Sequence, residues 1–145
     1  MIALIDYGMA NLRSVEQAFR AIGEEVTITS DPDLIASADR VILPGVGAFC
    51  ACMSNLRSRE LEEPVKAFIA SGKPFLGICV GLQMLFDSSS EMGMERGMGV
   101  ISGNVVGFEE RGITMMSTGR KVPHIGWNSL SFPNESQLLD RKSVV

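Results

Sequence analysis

Gly77-Ile78-Cys79-Val80-Gly81 sets a cysteine midway between two glycines, where an apolar run over residues 74–78 gives way to helical spacing over residues 80–86. G-x-C-x-G between a strand and a helix is the pattern of a nucleophile elbow. Its small residues let the backbone turn sharply, so that the side chain stands above the C-terminal edge of a sheet. The chemistry this allows is attack by a thiolate on an acyl carbon. The positive end of the following helix would favour the thiolate, and the backbone N–H of Val80 would be left to hydrogen-bond a developing oxyanion. The competing reading is a buried structural cysteine, the commoner fate of this residue type. The paired glycines and the strand-to-helix setting favour the nucleophile.

A second stretch, Pro44-Gly45-Val46-Gly47, follows another apolar run and should reach the same rim. A glycine loop there can offer a second N–H to an oxyanion or let a substrate approach the backbone closely. Nucleotide readings fail. Gly45-Val46-Gly47 runs on to Cys50 where a dinucleotide fingerprint needs a third glycine, and no GK[ST] of a phosphate loop exists. Taken alone, the loop is a turn or a site. The general base is harder to find, because His124 is the only histidine in the chain. Its neighbours Pro123, Gly126, Trp127 and Asn128 suit an interface or an ordered loop better than a base, since exposed aromatics anchor partner surfaces. A base or a plainly structural role stays open. The nine methionines, several of them between Met84 and Met116, fit either a core or an adaptable contact surface.

Composition narrows the field. The net charge is −4 with no Lys/Arg cluster, which argues against nucleic acid, whose phosphates demand a basic face. No apolar stretch approaches the ~20 residues of a membrane span. The opening MIALIDYG lacks a basic leader and meets Asp6 early, so it reads as a strand and not a signal peptide. Three cysteines, an odd number, fit a reducing cytoplasm better than a disulfide framework. Cys50 and Cys52 lie ~200° apart around a helix, so a zinc site with Cys79 and His124 is disfavoured and both read as packing residues. No metal or cofactor is expected.

The elements that must position these residues alternate. Ile2–Ile5 is a strand of consecutive hydrophobes, as in a sheet buried on both faces. After a loop at residues 6–11, Asn11 is a good N-cap for a helix that turns Leu12, Val15, Phe19 and Ile22 inward and stops at Gly23. Val26 and Ile28 mark a second strand, Asp31-Pro32 a short helical turn, and residues 41–43 a third strand. A helix over about 48–56 and another from about Glu62 to Gly72, with Pro64 in its first turn, lead to the strand before Cys79. Residues 87–99 read as a loop, residues 100–108 as one or two short strands around Gly103, and residues 111–120 as irregular. Residues 121–128 are a loop, and a further strand could begin at residues 129–132. Alternating strands and helices mean βαβ units with right-handed crossovers, hence an α/β fold with a mostly parallel sheet and helices on both faces, in a single domain over residues 1–145.

GICVGLQMLF, LPGVGAF, DYGMANLRSV and KVPHIGWN together resemble the class I glutamine amidotransferases, and within them the glutaminase subunit of imidazole glycerol phosphate synthase. The resemblance covers Met1 to about Asn128 and includes GMGVISGNVVGF. It implies a flavodoxin-like sheet that hydrolyses glutamine to glutamate and ammonia, and a cyclase subunit that takes the ammonia in histidine biosynthesis. By position it makes Cys79 the nucleophile, the Val46 and Val80 amides an oxyanion hole, and Gly45, Gly47 and Gln83 substrate contacts. Asn11, His124, Gly126 and Trp127 would lie toward the cyclase. Ala10, Val80 and Ser102 are mild departures from the family pattern. The serious one is that this sequence contains no His-Pro-Glu, the segment that supplies the family's base and its carboxylate. The expectation is a C-terminally incomplete copy, its tail after about Leu139 outside the family pattern, with little activity by itself. The rivals are a non-catalytic partner that docks on the cyclase and a cysteine-dependent hydrolase of an unrelated ester.

Overall fold

The apolar run Ile2–Ile5 (β1) is buried at all four residues in the computed structural model, which describes residues 1–112 and Ser129. Its pleat divides it between two cores. Ile2 and Leu4 join Ile42 under Leu12, Val15 and Phe19 of helix Leu12–Ala21 (α1), while Ala3 and Ile5 face the other way. Asn11 caps α1 as expected, its Oδ1 accepting the Ser14 N–H at 3.2 Å. Ile22 departs from the expectation: it is the C-cap rather than an inward position, and it is 72% exposed.

Val26–Thr29 (β2), Pro32–Ser37 (α2), Arg40–Gly45 (β3), Phe49–Ser58 (α3), Glu62–Ala70 (α4) and Phe75–Cys79 (β4) follow in turn. The four strands pair in parallel in the order β2-β1-β3-β4, the flavodoxin-like arrangement. The larger core packs Ile5, Val41 and Leu43 against Phe49, Leu56, Val65 and Phe68, which come from α3 and α4. Pro44 and Gly45 do not form a loop. They continue β3, paired with Ile78 and Cys79. The predicted buried character of β4 is also revised: residues 75–78 are only half-buried, because among the described residues β4 closes the strand order.

The helix expected over residues 80–86 stops after one turn, Val80–Gln83 (α5). The reason lies in who takes the next carbonyls. Met84 O accepts from Met98 N at 2.8 Å, Leu85 O from Val100 N at 2.8 Å, and Phe86 O from Gly99 N at 3.1 Å. Those bonds pull residues 86–101 into a small mixed sheet of Phe86–Ser89 (β5), Glu95–Arg96 (β6) and Ile101–Val105 (β7), in the order β6-β5-β7. Part of the expected loop at residues 87–99 is therefore strand, whereas the strand expected around Gly103 is present as β7.

Arg57 fastens this small sheet to the helices. Its Nε donates to Glu62 Oε2 at 2.7 Å, Nη1 to Glu95 Oε1 at 2.7 Å and Nη2 to the Arg96 carbonyl at 2.8 Å. Glu62 is 9% exposed, and its Oε1 has no hydrogen-bond partner, so it depends on this one cation. Arg57→Met should cost about 3 kcal/mol by leaving a buried carboxylate unpaired. Adding Glu62→Gln should return much of that loss, as a double-mutant cycle by chemical denaturation would show.

Candidate active site

Cys79 ends β4 with φ 55° and ψ −120°, one of two non-glycine residues among those described with positive φ. A β-carbon in that region is strained by about 1–3 kcal/mol, a cost that the surrounding structure must hold in place. The residue is exposed at the C-terminal edge of the sheet. The flanking glycines serve a different purpose from the one read in the sequence. Neither Gly77 nor Gly81 adopts positive φ; the turn is made by Cys79 itself. What the glycines allow is close backbone crossing. A Cβ on Gly81 would lie 2.0 Å from the Leu43 carbonyl oxygen, and one on Gly77 would lie 2.7 Å from Leu82 Cα. Because α5 is one turn long, what it brings to Cys79 is the unpaired N–H groups of a helix start rather than a long macrodipole. Val80, its first residue, is buried.

Gly45 is the register partner of Cys79, so the glycine stretch does reach the elbow. A Cβ on Gly45 would come within 2.5 Å of the Gly81 N and 3.0 Å of the Tyr7 hydroxyl. Gly47 is exposed with φ 101°, a conformation that needs glycine. Val46 corrects an expectation. Its N–H donates to the Met9 carbonyl at 3.1 Å, so that amide is already committed and does not stand open to an oxyanion. Gln83 is half-buried at the end of α5. Asn11 is exposed beyond the loop that carries Met9, and caps α1. His124, Gly126 and Trp127 lie outside the described residues.

Two residues beneath the site were missed as site residues. Tyr7 is fully buried and donates its hydroxyl to the Pro44 carbonyl at 2.8 Å. Cys52, also fully buried, donates its thiol to the Val46 carbonyl at 3.5 Å. Burial above all, then the neighbouring Cys52 thiol, holds the Tyr7 phenol far above its usual range. Burial likewise pushes the Cys52 thiol up. Both therefore stay protonated as donors. The one available signal was that Tyr7, the chain's only tyrosine, directly follows a buried strand and Asp6. Cys52 does pack in the core, as read, but it also holds a polar atom. Among the described residues no group of three His, Cys, Asp or Glu side chains is placed to hold a metal ion. No helix there is long and apolar enough to cross a membrane.

The glutamine amidotransferase class-I family matches residues 3–144. That match runs past Asn128 and through the tail after Leu139, further than the motifs alone indicated. The chain is 54% identical over 130 residues to imidazole glycerol phosphate synthase subunit HisH of Rhodopirellula baltica, covering 90% of this chain and 60% of that protein. It is 51% identical to the same subunit of Geobacter metallireducens, covering 90% and 61%, and 47% identical to that of Salinibacter ruber, covering 97% and 64%. The chain thus spans a little over three-fifths of the relatives it matches. A crystal structure described as glutamine amidotransferase superposes with a TM-score of 0.62 at 18% identity, over 73% of this chain and 56% of that one. A putative peptidase E from Listeria monocytogenes superposes at 0.53 and 12% identity, over 69% and 62%. Both likenesses speak for the fold.

Proposed function

Since the chain belongs to the class-I glutamine amidotransferases, we propose that it is the glutaminase part of an imidazole glycerol phosphate synthase, and that Cys79 is its nucleophile. The observation that carries the reading is the positive φ of Cys79 at the end of a strand in register with Gly45. The Cys79 sulfur adds to the side-chain amide carbon of glutamine and the C–N bond breaks. The nitrogen leaves as ammonia once protonated, and water then hydrolyses the thioester to glutamate. In this reading the Val80 N–H is the oxyanion donor, and the Val46 N–H joins it only by giving up Met9. Gly45, Gly47 and Gln83 form the wall against which glutamine lies. No cofactor is needed for this acyl transfer.

By the resemblance of their motifs, Asn11, His124, Gly126 and Trp127 are the residues we assign to contact with a cyclase subunit that consumes the ammonia in histidine biosynthesis, in the cytoplasm. The relatives' shared description as a synthase subunit supports that partner.

The test is covalent. The diazo-ketone analogue of glutamine should label Cys79 saturably in the intact chain, with protection by glutamine and no labelling of Cys79→Ala. Binding of a cyclase with no such labelling would replace this reading by a docking role alone.

A further inference from the structure

The end of β3 beside Cys79, and Val46 just after it, are held by two side chains that the proposed reaction does not use. Tyr7 Oη donates to the Pro44 carbonyl at 2.8 Å, and Cys52 Sγ to the Val46 carbonyl at 3.5 Å. Both side chains are fully buried. The two carbonyls flank Gly45, the register partner of Cys79. In a planar trans peptide the C=O and the following N–H point in opposite directions. With the Val46 carbonyl turned onto a core thiol, the Gly47 N–H of the same peptide is turned away from that thiol. Gly45 leaves no slack in this arrangement, since even a Cβ there would sit 3.0 Å from the Tyr7 hydroxyl.

We propose that Tyr7 and Cys52 are positioning residues: a buried two-donor clamp that fixes the peptide planes at Pro44 and Val46 and so aims the Gly47 N–H at the acyl group on Cys79. The clamp rests on the reading of Cys79 as a glutamine-directed nucleophile. It acts through the main chain and touches no substrate. Tyr7 satisfies a buried carbonyl and Cys52 one on the exposed residue Val46, so loss of either donor should loosen this stretch rather than unfold the protein.

The experiment compares wild type, Tyr7→Phe, Cys52→Ala and Cys52→Ser in the intact chain. The expected result is a limiting rate of Cys79 labelling by the diazo-ketone glutamine analogue that falls about tenfold in Tyr7→Phe and Cys52→Ala. The half-saturating concentration and the rate of alkylation by iodoacetamide should stay within about twofold. Cys52→Ser, which keeps a donor, should recover most of the loss. Nitrogen relaxation should show residues 46 and 47 more mobile in Cys52→Ala than in Cys52→Ser. Unchanged limiting rates in folded Tyr7→Phe and Cys52→Ala, a parallel fall with iodoacetamide, or a Cys52→Ser variant no better than Cys52→Ala would each overturn the clamp. If wild type itself is not labelled saturably, the glutaminase reading fails. Relaxation then judges the clamp alone: greater mobility in Cys52→Ala upholds it, and unchanged order overturns it.

Discussion

Joined to a segment that carries a His-Pro-Glu sequence, the chain should hydrolyse glutamine about 10²–10⁴-fold faster than its 145 residues do by themselves. Cysteine chemistry on an amide needs a proton taken from the thiol and a proton given to the departing nitrogen. The buried titratable groups under the site cannot exchange either one. Tyr7 is held protonated by burial and by the Cys52 thiol beside it, and Cys52 is held protonated by burial. The strained turn and the Val80 amide would still favour the tetrahedral adduct, but ammonia would leave without acid help. Ammonia release measured on both chains decides this, and equal turnover would sink it. With the histidine present, kcat/KM should also gain an acidic limb near the ordinary imidazole range of about 6.5, with activity falling as the base is protonated. Cys79→Ala in the extended chain should return the rate to background.

The strands and most helices were legible because their sequences satisfy several physical demands together. Ile2–Ile5 has four consecutive apolar residues that only a doubly covered strand can bury, and Asn11 has an oxygen where a helix start needs an acceptor. The elbow was legible for the same reason, since glycine, cysteine and glycine fall where the periodicity changes. What sequence could not supply was the use of each glycine. Gly77 and Gly81 read as turn-makers, yet the turn is borne by Cys79 and the glycines make room for a helix crossing a strand. The end of α5 was illegible because the amides that take the carbonyls just beyond it come from residues 98–101, a non-local effect. Val46 was misjudged on the same grounds: its N–H is spent on Met9, thirty-seven positions earlier in the chain (46 less 9). Tyr7 and Cys52 look like ordinary core residues until their polar atoms are seen to meet the carbonyls of Pro44 and Val46.

Gly81→Ala should destabilise the protein by about 3 kcal/mol or more, a large share of the roughly 5–15 kcal/mol a domain of this kind has to lose. The added methyl group would sit 2.0 Å from the Leu43 carbonyl oxygen, 2.8 Å from its carbon and 3.1 Å from the Pro44 carbonyl carbon. These are main-chain atoms of β3, which is laddered to β1 on one side and β4 on the other, so no side chain can swing aside to relieve the contact. Either α5 lifts off β3, carrying the elbow with it, or the ladder breaks. Gly72→Ala is the matched control. Gly72 has φ 75° but nothing within 4 Å of an added Cβ, so only the backbone conformation is penalised, at about 1 kcal/mol. Gly77→Ala, with its nearest contact at 2.7 Å, should fall between the two. Denaturation midpoints should therefore descend from Gly72→Ala through Gly77→Ala to Gly81→Ala. Any Gly81→Ala protein that folds should show Cys79 labelling by the glutamine analogue reduced beyond its loss of stability. Equal midpoints for Gly72→Ala and Gly81→Ala would mean that α5 does not cross β3 so closely, and the physical basis for the elbow would fall with it.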